Sequence, residues 1–294
     1  MRQWLIYLNN SFMYSFDQKK ASLLTDFSRA FYKLRVGITP KKVHGLRASI
    51  RRIESFVSLA HPRLARKQEK LLQEMIELRK RAGKVRNLDV RIRLLGSIAN
   101  GSTASDRRVL LQMFKAKREK QAHRLASALN KLDKQDIVGR LKKLFAKTSV
   151  TDDAGTPINS LQQARKDLSS LLSQIPVGNL KARALDVLRI GLKRIRYTAE
   201  LAEASDARQR LLGTIKPVQD AIGDWHDWKA LVEIAEKQFG ERVNCPLLVE
   251  MRSLFAAKYS AAISAVSSLR PSLAVVPRKQ PQPVSSVRDQ ARTA

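Results

Sequence analysis

Val43-His44-Gly45-Leu46-Arg47-Ala48-Ser49-Ile50-Arg51-Arg52-Ile53 is the stretch around which the chain is organised. On a helical wheel of about 100° per residue, Val43, Leu46, Ile50, Ile53, Phe56 and Val57 share one side. His44, Arg47, Arg51 and Ser55 form a stripe on the other, with Arg52 at its flank. The pattern returns, more weakly, in Leu185-Asp186-Val187-Leu188-Arg189-Ile190-Gly191-Leu192-Lys193-Arg194-Ile195. The two copies align without a gap: Leu46 on Leu188, Arg47 on Arg189, Arg51 on Lys193, Arg52 on Arg194 and Ile53 on Ile195. In the second copy Leu185, Leu188, Leu192, Ile195 and Ala199 face one way, while Asp186, Arg189, Lys193 and Tyr197 face the other. Cations at i, i+3 and i+7 stand about one turn apart on one line. Such a line suits an elongated anion better than a single compact phosphate.

Outward from these two stretches, apolar residues recur at helical spacing and strand alternation is absent. Residues 17–36 read as an amphipathic helix, with Leu23, Leu24, Phe27, Phe31 and Leu34 inward and Gly37 as its stop. Thr39 and Pro40 are start signals for the helix that carries the first basic stripe to Ala60. A third helix spans 63–98, with a kink or break expected at Gly83, and a fourth spans 104–131, with Val109, Leu110, Met113, Leu125 and Leu129 inward. Residues 132–157 read as the connection between halves, with a short basic helix from Ile137 to Phe145 and a linker at 148–157. The second half, 158–270, repeats the plan with helices at 158–174, 180–204, 206–221, 224–239 and 246–269. After Pro271 the composition predicts a disordered or loosely docked tail, 271–294. Two halves of similar content carrying one motif indicate an internal duplication. The expected architecture is all-α: two antiparallel four-helix bundles, packed about a pseudo-twofold axis.

Composition narrows the ligand. The 294 residues carry 56 Lys and Arg against 26 Asp and Glu, a formal net charge of +30. That excess costs self-repulsion in the compact state unless a polyanion neutralises it. Nucleic acid, inorganic polyphosphate and an anionic membrane surface all qualify. Aromatic residues are only 6%, which argues against single-stranded nucleic acid, whose sites stack bases on rings. Cys245 is the sole cysteine, so an intrachain disulfide and a CxxC zinc site are both absent. The apolar run at the N-terminus is too short for a signal-peptide core, and no run approaches the ~18 residues of a membrane span. The expectation is a soluble cytoplasmic protein. A basic helix face is often only a solvated face. Here the stripe repeats at one phase in both halves, and a merely solvating face would mix signs.

Four ordered segments resemble the CHAD family, the conserved histidine α-helical domain. The two basic helices, Val43-His44-x-Leu46-Arg47-x-x-x-Arg51-Arg52-Ile53 and Leu188-Arg189-Ile190-x-x-Lys193-Arg194-Ile195-Arg196-Tyr197, are similar to its signature helices. Val85-Arg86-Asn87-Leu88-Asp89-Val90 is similar to its LRDLDV segment, and Val218-Gln219-Asp220-Ala221-Ile222-Gly223-Asp224-Trp225-His226-Asp227 to its LQDxLGxxHD segment. The resemblance spans about residues 20–270, which makes 1–270 a CHAD-like domain. It implies two pseudo-symmetric four-helix bundles with a basic central groove or channel, binding of inorganic polyphosphate without catalysis, and association with polyphosphate granules. The chain departs from the pattern twice: Asp186 stands where the family often has His, and Asn87 where the segment has its first acid. Asp186 puts a negative charge on the second stripe, so the first helix is expected to hold the ligand more tightly than its echo.

The expected polyphosphate contacts are Lys41, Lys42, His44, Arg47, Arg51, Arg52, Arg86, Arg189, Lys193, Arg194, Tyr197 and His226. Arg47 and Arg51 lead, because a guanidinium grips phosphate oxygens with a planar fork. His44 lies near the start of its helix, where the dipole favours anions. Arg52 and Arg194 are expected either to touch the ligand or to pair with Asp89 or Asp227, and the two acids to orient Arg or His side chains. Two other functions fit some of the features. A duplex nucleic-acid binder explains the charge but lacks a helix-turn-helix signature or a concentrated basic arm. A metal-dependent phosphohydrolase would draw on His44, His226, Asp89 and Asp227, whose types suit a divalent metal but whose spacing matches no local ligand motif. No resident metal or cofactor is expected.

Overall fold

The computed structural model describes residues 2–60, 65–99, 103–148, 159–175, 180–240 and 245–274, with side chains described between 16 and 269. Among the described residues there are nine α-helices and no strand. They are α1 (Arg2–Val36), α2 (Pro40–Ala60), α3 (Arg66–Gly96), α4 (Ala104–Lys134), α5 (Ile137–Ala146), α6 (Ser160–Ser173), α7 (Ala182–Glu200), α8 (Asp206–Phe239) and α9 (Pro246–Ala274). Helix α1 starts well before the expected residue 17. The Thr39 hydroxyl accepts from the Lys42 N–H at 3.4 Å, and Pro40 occupies the first helical position. Residues 149–157 of the linker expected at 148–157, residues 61–64, 100–102 and 176–179 between helices, and the tail from 275 on lie outside the described residues, while Thr148 is buried, its hydroxyl donating to the Leu144 carbonyl. Residues 271–274 continue α9.

Two expected breaks are absent, for one physical reason. Helix α3 runs straight through Gly83 and α8 through Gly223. In α3 the buried stripe Leu78, Ala82, Val85, Leu88 keeps its phase across the glycine. In α8 the stripe Val218, Ile222, Trp225, Trp228 does the same. A glycine inside a helix costs only about 1 kcal/mol, whereas fully burying one large apolar side chain contributes about 1.5–3 kcal/mol. Packing on both sides therefore carries each helix through. Val109, expected inward, is 46% exposed, while its neighbour Leu110 is fully buried. The stretch 132–157 is also more than a connection: Ile137, Leu141, Leu144 and Phe145 of α5 sit in the first core.

Three apolar clusters hold the helices together. The first joins α1, α2 and α5 to the near ends of α3 and α4, through Phe27, Phe31, Ile50 and Phe56. The second joins α6 and α7 to the near parts of α8 and α9, through Leu188, Leu192, Ile215 and Trp225. The third lies between the halves, where the far ends of α3 and α4 meet those of α8 and α9 around Leu95, Phe114, Leu231 and Met251. The neighbour relations run in parallel: α2 packs on α1 and α3 as α7 packs on α6 and α8, and α4 pairs with α3 as α9 pairs with α8. The halves touch through α2 with α7 and α3 with α8. These four helices are the ones that bear the motifs.

Candidate functional site: a cationic cleft between four helices

The apolar stripe of α2 is entirely consumed by the first core: Val43, Leu46, Ile50 and Ile53 have no exposed surface. In α7, Leu185, Leu188 and Leu192 are likewise fully buried in the second core. Each burial fixes the rotation of its helix, so both basic stripes turn toward the junction of the halves. There they meet α3 and α8 around a cleft of about 480 Å³.

Eight of the twelve sequence-predicted residues line this cleft: His44, Arg47, Arg51, Arg86, Arg189, Lys193, Tyr197 and His226. The other four, Lys41, Lys42, Arg52 and Arg194, lie outside its lining. Arg52 donates from Nε to Glu200 Oε2 at 2.8 Å, so its acid is Glu200 rather than Asp89 or Asp227. Arg194 is exposed on the far side of α7. Arg196 takes its place in the lining, as do Arg91 and Arg93 of α3, none of them named from the sequence. The i, i+3 rule that built the stripe leads from Lys193 to Arg196, so Arg196 was recoverable. The same spacing leads from Arg86 to Arg93, seven residues on. Arg91 was not recoverable, because only the packing of α3 on α8 shows which further face of α3 is free.

Asp220, Asp224 and Asp227 are the acids of the cleft lining among the described residues, and Asp220 and Asp224 meet Lys216 and Lys258 at 2.5 and 3.5 Å. Asp227 takes a two-pronged hydrogen bond from Arg86, at 2.9 and 3.0 Å. Asp186 Oδ1 lies 3.1 Å from His226 Nδ1 and 3.5 Å from Arg189 Nε, and its Oδ2 is 3.7 Å from Lys229 Nζ. The charge on the second stripe is thus shared among three basic groups of α7 and α8. Asp89 faces away, toward Arg118 at 2.6 Å, and Arg118 also donates to the Ile38 carbonyl at 3.0 Å.

Arg47, Arg51 and Lys193 have no such relief. Among the described residues none forms an ion pair with any of the three, and none accepts a hydrogen bond from Arg47 Nε. The Arg47 guanidinium rests near the α3 backbone at Gly83, where a β-carbon would stand 3.9 Å from its Cζ. Arg51 and Arg196 flank the ring of Tyr197, at 5.8 and 4.7 Å from its centroid, and Tyr197 is only 6% exposed. Both guanidinium groups are within cation–π reach of the ring.

Burial and crowding press these groups toward neutrality. Lys193 is lowered to about 7, first by desolvation and then by Arg189, Arg51 and Arg86, with Asp227 opposing. Arg47 is lowered to about 10, first by desolvation and then by Arg86 and Arg51. Desolvation also leads in lowering Arg51, His44 and His226, with neighbouring arginines adding to it. An anion in the cleft would reverse the repulsive part of every one of these shifts.

Of the four residues considered for a metal, His44, His226 and Asp227 line the cleft and Asp89 does not, and Asp89 and Asp227 are each tied to an arginine. Among the described residues no group of three or more His, Cys, Asp or Glu stands close enough to share a metal ion. Among the described residues no helix is long and apolar enough to cross a membrane.

A family model described as the CHAD domain matches residues 22–236. The fold is similar to the crystal structure of the CHAD domain from the plant Ricinus communis, with a TM-score of 0.67, 18% identity, and 90% of this chain and 91% of that one covered. It is also similar to PptA from Streptomyces chartreusis, with a TM-score of 0.65, 16% identity, and coverage of 87% and 96%. No curated protein sequence matches the chain.

Proposed function

The chain belongs to the CHAD-domain family, and from that membership and the cleft's chemistry we propose that it binds inorganic polyphosphate without catalysing a reaction on it. The carrying observation is the set Arg47, Arg51 and Lys193, gathered on one cleft, with none of the three in an ion pair among the described residues. Removing a cation from water without pairing it costs several kcal/mol. A ligand that supplies the missing negative charge recovers that cost on binding.

The arrangement favours a linear polyanion. The cations come from both walls, Arg47 and Arg51 from α2, Arg189 and Lys193 from α7. A chain of phosphates laid between them meets charge at every turn of both helices. Each guanidinium can grip two oxygens, while Lys193 acts as a point charge. Tyr197, the sole Phe, Tyr or Trp in the lining among the described residues, is 6% exposed and already has two guanidinium groups against its ring, which argues against base stacking. A concave cleft between helices is also a poor match to a duplex, which takes an exposed recognition helix into its groove. Under this reading the protein acts in the cytoplasm, on polyphosphate granules.

The test is a competition between long-chain polyphosphate and duplex DNA at near-physiological salt, with phosphate release followed in parallel. Polyphosphate is expected to win, with affinity falling steeply as salt rises and no phosphate released. Preferred binding of DNA, or no binding of polyphosphate, overturns the reading. Steady phosphate release would instead favour a phosphohydrolase.

A further inference from the structure

A second cavity, of about 470 Å³, lies on the side of α3 that packs against α4. Lys84, Asn87 and Arg91 line it from α3, and Lys117, Lys120 and Arg124 from α4. The spacings are again helical: 84, 87, 91 on one wall and 117, 120, 124 on the other. Among the described residues no carboxylate lines it. Asp89, two residues along α3 from Asn87, is spent on Arg118. Lys84, Lys117, Lys120 and Arg124 are exposed and make no ion pair among the described residues.

Asn87 and Arg91 line this groove and the central cleft alike. Arg91 is anchored at the boundary with its guanidinium 5.9 Å from the centre of the Phe114 ring, and no residue among those described forms an ion pair with it. Asn87 is neutral at this crossing point. A phosphate chain crossing from the central cleft at this point therefore meets an amide and an arginine that holds no ion pair among the described residues, before it reaches a groove whose lining carries no carboxylate among them.

The geometry points to a second polyphosphate subsite in the α3–α4 groove, continuous with the central cleft across Asn87 and Arg91, that holds the part of a chain too long for the cleft. The inference rests on the polyphosphate reading above. A chain already held in the cleft presents its next phosphates to the groove at high effective concentration, so a few exposed cations suffice to add affinity. The same cations facing a free short chain act at long range through a screened field and add little.

The test compares short and long polyphosphate on the full chain and on a Lys117→Ala, Lys120→Ala, Arg124→Ala triple variant. These side chains are exposed and alanine favours helix, so the fold is retained. The parent is expected to bind long chains at least about tenfold more tightly than short ones, and the triple variant to bind both equally, with short-chain affinity unchanged. The salt slope for long chains should fall by about 2–3, near the ~0.7–0.9 per contact known for nucleic acids. A second variant, Asn87→Asp, puts a negative charge at the crossing and should weaken long-chain binding more than short-chain binding. If the triple variant keeps the parent's preference for long chains, the groove is not a subsite, although the cleft reading stands. Equal losses for both lengths mean a general field effect and also overturn it. A parent that binds neither length sinks the cleft and the groove together.

Discussion

Arg86 and Asp227 form a two-pronged ion pair on the cleft wall, Nη1 to Oδ1 at 2.9 Å and Nη2 to Oδ2 at 3.0 Å, and it ties α3 to α8 across the two halves. The arrangement sets stability against binding. The carboxylate steadies the junction, yet it also cancels a guanidinium that faces the proposed ligand. Asp227→Asn is therefore expected to lower the ligand-free stability, by about 1–3 kcal/mol because the pair is only partly buried. It should also raise polyphosphate affinity. Thermal unfolding with and without polyphosphate checks both: the midpoint drops without ligand, and the ligand-induced rise exceeds the parent's. An unchanged ligand-free midpoint would show that the pair does not hold the halves together.

Arg47 and Arg51 carry the opposite expectation for stability. Both are crowded cations without an ion pair among the described residues, so removing them relieves repulsion. The double variant Arg47→Ala, Arg51→Ala should keep its helicity by circular dichroism and lose no thermal stability. Charge-assisted contacts are worth about 1.5–3 kcal/mol each, so its polyphosphate affinity should fall roughly 100-fold or more. The matching pair on α7, Arg189→Ala with Lys193→Ala, should lose less, because Asp186 already engages Arg189 at 3.5 Å. A larger loss on the α7 side would contradict the ranking of the two stripes.

The repeated helices were legible because their pattern is local. The inward apolar positions of α2 and α7 fix which way the basic stripes turn, and Val43, Leu46, Ile50 and Ile53 are buried, as are Leu185, Leu188, Leu192 and Ile195. Fold class followed from the same periodicity. Helix continuity at Gly83 and Gly223 did not, since it depends on partners elsewhere in the chain. Nor did the pairing of charges: Arg52 finds Glu200, 148 residues away, and Arg86 finds Asp227, 141 away. Sequence spacing marks the face a residue occupies. Which opposite charge it meets is set by how the two halves dock.

Asp186 illustrates the same limit, and it makes a prediction. Its carboxylate raises the His226 pKa, against the stronger lowering by desolvation and Arg189. Asp186→Asn removes that support, so His226 should titrate at still lower pH than in the parent, as followed by NMR of the imidazole protons. The variant also releases Arg189 and Lys229 toward the cleft and is expected to bind polyphosphate more tightly. If His226 titrates unchanged, the 3.1 Å contact to Asp186 is not an electrostatic one in solution.

Lys193 gives the pH dependence its sign. Its pKa in the ligand-free protein is about 7, against 10.5 for an ordinary lysine. Bound phosphate stabilises the ammonium form and raises that pKa. Below about pH 7 the group is charged with or without ligand, so its contribution to affinity is level. Above pH 7 the free protein must take up a proton to bind, and affinity falls as pH rises toward the bound-state pKa. Folding runs the other way. Between about 7 and 10.5 the unfolded chain holds a proton that the folded one has released, so this group's contribution to stability grows with pH across that window, is lost as pH falls from 10.5 to about 7, and is level below. Lys193→Met should abolish both slopes, stabilise the ligand-free protein at pH 7 and below, and weaken binding there. Lys193→Arg should keep the binding and remove its decline above neutral pH. Calorimetric titration of parent and both variants from pH 6 to 9 reads the difference directly. A parent whose affinity is flat across that range, or rises with pH, would show that Lys193 does not meet the anion.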